Sequence, residues 1–177
     1  MKIWKNKRYL IIKQLTILFA MFIIFGFDVI KKDPLIVKQQ IPADFNFTIH
    51  DGANDGYNSQ YNSFYRNYND GEKTIKVELT REEKEKIYSY IEKVNFFEMP
   101  IDFKAKGIIE IKNPSFKEVI VVYANGKKNF VSYNDGYTND LNDKNAKPFL
   151  DLYKMIWDIL YKKKEINELP KSDYRYH

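Results

Sequence analysis

The chain has 177 residues, with 29 Lys and Arg against 24 Asp and Glu, and no cysteine. The absence of thiols excludes disulfides, thiolate metal sites, cysteine nucleophiles and a lipid-modified cysteine. The formal charge of +5 invites a nucleic-acid reading, but seven basic residues and one acid fall within residues 1–32, leaving residues 33–177 at −1 with no surplus to neutralise phosphates.

That basic segment leads into an apolar run. Lys2, Lys5, Lys7, Arg8 and Lys13 precede Leu15–Phe27, in which no residue is charged and only Thr16 is polar. Flanks from Leu10 to Ile30 extend it to about twenty residues, the length a bilayer core requires of a helix. Lys13 and Asp28 lie close enough to its ends to reach the headgroups. The excess of cations on the N-terminal side places that end in the cytoplasm and the rest of the chain outside. Around Phe25-Gly26-Phe27-Asp28 there is no A-x-A-like pair of small residues, which favours an uncleaved signal anchor over a cleaved signal peptide. The expected organisation is a basic N-terminus and anchor over 1–32, a linker over 33–42, an extracytoplasmic domain over 43–164 and a tail over 165–177. The protein is then a single-pass protein of the cytoplasmic membrane, and the membrane is its first partner.

After the linker the apolar period becomes two. Phe45, Phe47 and Ile49 alternate with Asn46, Thr48 and His50, predicting a strand that ends at Asp51-Gly52, followed by a Gly-rich loop to Asn58. Gln60–Tyr68 is the next strand, Asn69-Asp70-Gly71 a reversal, and Thr74–Leu79 the returning strand. Thr80-Arg81-Glu82-Glu83 forms a capping box for a helix from Arg81 to Val94, with Ile87, Ile91 and Val94 on its apolar face. Phe96 and Phe97 are expected to plug the core beyond it. Ile108–Ile111 reads as a short strand. Lys117–Tyr123 and Lys128–Tyr133 read as a hairpin about Asn125-Gly126. A second helix is expected from an Asn145 cap, with Pro148 in its first turn and an apolar stripe of Phe149, Leu152, Tyr153, Ile156, Trp157 and Leu160. The tail, with Leu169-Pro170 and Tyr174, is read either as an added edge strand or as a loose end. The order β-β-β-α-β-β-β-α makes the domain α+β, an antiparallel sheet with two helices packed on one face.

Chemistry-bearing motifs are sparse. His50 and His177 are the only histidines, and no nucleophile elbow, zincin, P-loop or dinucleotide fingerprint is present, so no cofactor is expected. Asp51-Gly52-Ala53-Asn54-Asp55-Gly56 begins like a calcium loop, but Ala53 and Asn62 stand where an acidic ligand and the bidentate Glu belong. Asp135, Asn139, Asp140 and Asp143 form the better oxygen-rich candidate. Fourteen Tyr and thirteen Phe give unusual aromatic content. Tyr57, Tyr61, Phe64, Tyr65 and Tyr68, set among Asn, Ser and Arg, form the candidate contact surface for a protein or peptide partner, with plain sheet cover as the alternative.

The apolar N-terminal segment, the aromatic hairpin, Val77-Glu-Leu-Thr-Arg-Glu-Glu83, Val94-Asn-Phe-Phe-Glu-Met-Pro100 and the Trp157-bearing helix together resemble small uncharacterised bacterial envelope domains of membrane-tethered or lipoprotein type. The resemblance implies tethering by the helix itself and brings no activity or functional residues. Three functions compete: a non-enzymatic binding domain of inhibitor or immunity type; a hydrolase using carboxylates such as Asp51, Asp55, Asp135 or Asp140; and a structural spacer.

Overall fold

Alternation of apolar and polar side chains along four strands, matched by two amphipathic helices, organises the domain. The computed structural model describes residues 40–103, 110–111, 116–134, 137–138 and 140–175. In chain order come β1 (Asn46–His50), β2 (Asp55–Asn58), β3 (Ser63–Tyr68), β4 (Gly71–Lys76), α1 (Arg81–Lys93), a 3-10 turn (Phe96–Glu98), β5 (Asp102–Phe103), β6 (Glu110–Ile111), β7 (Lys117–Ala124), β8 (Lys127–Asn134), β9 (Tyr137–Thr138), α2 (Asp140–Leu160) and α3 (Lys164–Asn167). Seven strands form one sheet in the order β4-β3-β2-β1-β7-β8-β5, antiparallel except for β5 on β8. The domain is therefore α+β, a mostly antiparallel sheet with two principal helices.

Register explains the core. Phe47 lies opposite Val122, Ile49 opposite both Ile120 and Tyr57, Tyr57 opposite Phe64, and Ile120 opposite Val131. These alternate residues are buried in one cluster with Ile87 and Ile91 of α1 and Phe149, Leu152, Ile156 and Leu160 of α2. Phe96 closes the cluster, fully buried, and Asn95 takes a left-handed φ of 50° to turn the chain there.

The local signals for α1 and the β7–β8 hairpin appear as the sequence implies. Thr80 Oγ1 accepts from the Glu83 amide and the Glu83 carboxylate accepts from the Thr80 amide, so the capping box is closed. Glu83 also pairs with Lys163 at 2.6 Å, joining the start of α1 to the segment after α2. Asn125 and Gly126 have φ of 54° and 70°, the positive values a two-residue hairpin turn demands. Their amides donate to the Asp44 carboxylate at 2.8 and 2.7 Å, which holds that carboxyl below its usual pKa.

Other expectations are corrected. The Gly-rich loop to Asn58 contains β2, because β1 and β3 supply ladder partners on both sides of a segment with little strand propensity of its own. The strand expected over Thr74–Leu79 is Gly71–Lys76, with Val77 and Leu79 buried just beyond it. The second helix begins at Asp140 rather than after Asn145, so Pro148 lies inside the helix, where it can supply no amide to the preceding turn. Glu110–Ile111 does extend, but pairs with β9 in a separate two-stranded sheet.

The tail is neither edge strand nor loose end. It forms α3 and then runs along β3, tied by side chains: Arg66 and Tyr68 both donate to the Pro170 carbonyl, Ser172 Oγ to the Asn67 carbonyl, and the Asn69 amide to Asp173. Its residues through Arg175 thus belong with the domain rather than apart from it.

The apolar run Leu10–Ile30 and residues 33–39 of the linker lie outside the described residues. Among the described residues no helix is long and apolar enough to cross a membrane.

Thr80→Ala should lower stability by about 1 kcal/mol by opening the capping box. Urea denaturation followed by circular dichroism measures it, with an unchanged denaturant slope as the sign that the fold is retained.

Candidate functional site

The polar groups that the fold gathers lie at the β1–β2 turn. Asp51 Oδ1 accepts from the amides of Ala53, Asn54 and Asp55 at 2.8, 2.7 and 2.9 Å, an Asx-type turn that folds the loop around its own carboxylate. Gly52 has φ of +73°, and a Cβ there would lie 2.5 Å from the Lys117 carbonyl oxygen, so only glycine fits against β7. Burial is the larger influence on Asp51 and raises its pKa, with the Asp55 charge adding to the effect against the pull of the three amides.

Asp55 and Arg66 stand opposite each other on β2 and β3. Arg66 Nε and Nη2 donate to the two Asp55 carboxylate oxygens at 2.8 and 2.7 Å, a bidentate pair with side-chain exposures of 12% and 6%. Tyr161 Oη donates to Asp55 Oδ2 at 3.0 Å and the remaining Arg66 nitrogen, Nη1, donates to Pro170. Both Asp55 oxygens and all three Arg66 nitrogens thus have a partner within the protein.

Four rings at i, i+4 spacing lead from α2 to this turn. Phe149, Tyr153, Trp157 and Tyr161 have successive centroid separations of 6.1, 6.1 and 5.2 Å. Tyr153 Oη donates to the His50 carbonyl at 3.3 Å. Burial pushes the Tyr153 and Tyr161 phenols well above their usual range, reinforced by nearby carboxylates, so both hydroxyls stay protonated donors.

On the other side of β1, His50 Nδ1 meets Tyr65 Oη at 2.6 Å. Burial lowers the His50 pKa, opposed by the Asp51 charge. In the neutral ring favoured by that shift the tautomer sets the direction of this bond: Nδ1 accepts from the Tyr65 hydroxyl when Nε2 carries the proton and donates to it when Nδ1 does. Gly56 makes the contact possible, since a Cβ there would sit 2.2 Å from the Tyr65 ring.

The candidates from sequence fall in different places. Of the five aromatic residues, Tyr57 and Phe64 are buried on the core side and cannot belong to a contact surface; Tyr57 Oη is bonded to the Val77 carbonyl. Tyr68 is tied to Pro170, Tyr65 to His50, and Tyr61 is 70% exposed at the β2–β3 turn. The series fails as a face because a period of two sends alternate rings to opposite sides of the sheet. In the calcium-like turn Asp51 Oδ1 binds its own loop and Asp55 binds Arg66. Among the described residues no group of three His, Cys, Asp or Glu converges to hold a metal. Asp135 and Asn139 lie outside the described residues, and so do the side chains of Asp140 and Asp143, whose backbone is in α2.

Sequence reasoning missed the Asp55–Arg66 pair and the docking of Pro170, which join residues 11 and 104 positions apart. The ring ladder was legible in the spacing of four aromatic residues. Comparison with protein-family models, with curated proteins and with solved structures returned no match.

Arg66→Met strands a desolvated carboxylate and should cost about 3–5 kcal/mol, with Asp55→Leu in the same chain recovering part of the loss. Denaturant midpoints of the single and double variants measure this. His50 contributes stability that is full above its unfolded pKa near 6.5 and is lost as pH falls through its lower folded value. The melting temperature of His50→Gln should therefore fall less than that of the parent chain as pH drops from 7.5 to 5.

Proposed function

We propose that this is a membrane-tethered, extracytoplasmic domain that acts by binding a protein or peptide, in the manner of an inhibitor or immunity factor, rather than by catalysis. The tether rests on the apolar run Leu15–Phe27 behind five cations, with the N-terminus inside and the domain outside. Both principal helices pack on one face of the sheet, since α1 and α2 share a single core cluster with the inward strand residues. The opposite face is the binding surface in this reading. It carries Thr48 beside Val121, Val121 beside Phe130, and the His50–Tyr65 pair.

One observation favours binding over hydrolysis. Asp51 and Asp55, the two acids proposed for acid–base work whose side chains the structure describes, are engaged by backbone amides and by an arginine. General acid–base catalysis needs a carboxyl in reach of substrate and able to exchange its proton. Here one carboxylate organises a turn and the other sits in a bidentate ion pair.

The tether is tested by expressing the full chain in a bacterial host with an epitope after His177. The protein should sediment with membranes and resist alkaline carbonate, and the epitope should be digested by protease added to spheroplasts. Recovery of full-length protein in the cytosolic supernatant, or an epitope protected until the membrane is lysed, would refute it.

A further inference from the structure

The sheet ends at β4, and none of the described residues pairs with that strand's second side. Its six residues, Gly-Glu-Lys-Thr-Ile-Lys, are exposed except for Ile75, which is half-buried. The orientation of its backbone follows from one bond. The Val77 amide donates to the Asn62 carbonyl at 2.8 Å, one step beyond the Ser63–Lys76 pair in the same register. Hydrogen-bonded pairs alternate in an antiparallel ladder, so Phe64–Ile75 and Arg66–Lys73 exchange the bonds between β3 and β4. Glu72, Thr74 and Lys76 therefore direct their N–H and C=O groups away from β3, into the open edge.

Charged edge strands usually deter pairing. This one has a self-complementary charge order. An antiparallel copy centred on Thr74 puts Glu72 of each strand opposite Lys76 of the other, with Thr74 facing Thr74 across the two-fold axis. The same register makes each of these an outward-directed pair, so each can exchange both backbone bonds. On the other side of the ladder Lys73 falls opposite Ile75 and can lay its aliphatic stem over it. The present partners of these side chains are replaceable: Thr74 Oγ1 donates to Glu72, and Lys76 pairs with Glu78 with both side chains more than half exposed.

We propose that β4 is a homotypic docking edge, where a second copy of this chain joins to make one continuous sheet across the two-fold axis. Edge pairing alone buries little surface, so the dimer is weak in dilute solution and is favoured wherever copies are held close together. The proposal does not depend on the tether or on the binding face described above.

The chain's lack of cysteine provides the test. A directly opposed hydrogen-bonded pair has Cα atoms about 5.5 Å apart, within the span of a disulfide. Thr74→Cys in the full chain, purified in mild detergent, should form a disulfide dimer on gentle oxidation at least about tenfold faster than Tyr61→Cys, whose site is 70% exposed but lies off the edge. Adding Glu72→Lys to Thr74→Cys should reduce the rate to the Tyr61→Cys level by setting Lys against Lys. Adding Lys76→Glu to that double variant should restore it. Circular dichroism melting confirms that each variant is folded. Equal rates for the two cysteine sites, or a Thr74→Cys rate unmoved by Glu72→Lys, would overturn the proposal.

Discussion

The Asp55–Arg66 pair is the constraint on which one end of this domain depends. Two charges have been taken out of water on the core side of adjacent strands, and their bidentate geometry permits one register between β2 and β3. Tyr161, just past the end of α2, and Pro170, in the tail, supply the remaining hydrogen bonds. One ion pair therefore joins two strands, a helix end and the C-terminal segment. A buried pair of this kind adds little net stability over apolar packing, because desolvation offsets most of the Coulomb attraction. Its physical effect is on specificity: a one-residue slip of β2 would leave both charges unmatched.

The rest of the turn follows from that fixed point. Asp51 folds the β1–β2 loop on itself, Gly52 lets the loop lie against Lys117, and Gly56 leaves room for the Tyr65 ring to cross to His50. The ladder from Phe149 to Tyr161 carries the apolar contact of α2 up to this polar end, so packing and hydrogen bonding meet along one helix. What resembles a metal loop in one dimension is a structural lock in three. Two of the carboxylates that invite a catalytic reading are engaged by the fold, Asp51 through Oδ1 and Asp55 through both oxygens.

Beyond the core cluster that α1 and α2 share with the strands, the described part of the sheet has two further surfaces. The first is the outer face of the sheet, where half-buried Val121 and Phe130 lie beside the His50–Tyr65 pair. The second is the β4 edge, whose outward backbone groups and alternating charges make a template for another strand. The tail is tied to β3 without entering the ladder, and among the described residues no strand pairs with the outer side of β4.

Much of this architecture was legible in residue order because its signals are local. The capping box at Thr80, the Asn125-Gly126 turn, the apolar period of α1 and the alternation in β1 and β7 each depend on spacings of a few residues, which the backbone reads directly. The short strand at Asp55–Asn58 was hidden, since its composition is that of a loop and only the ladders on both sides make it a strand. The fate of the aromatic series was hidden for a related reason: alternation assigns rings to two faces, but which face meets the helices depends on the pairing of distant strands. By itself, then, the sequence determined the α+β class, the helices' apolar faces, the principal hairpin and a charge balance that confines the positive surplus to the N-terminal segment. The tertiary structure alone decided that Tyr57 and Phe64 are core, that Asp51 and Asp55 are engaged, and that the tail docks on β3. Those outcomes depend on contacts between residues far apart in the chain, and such contacts leave no periodicity in the sequence for local rules to detect.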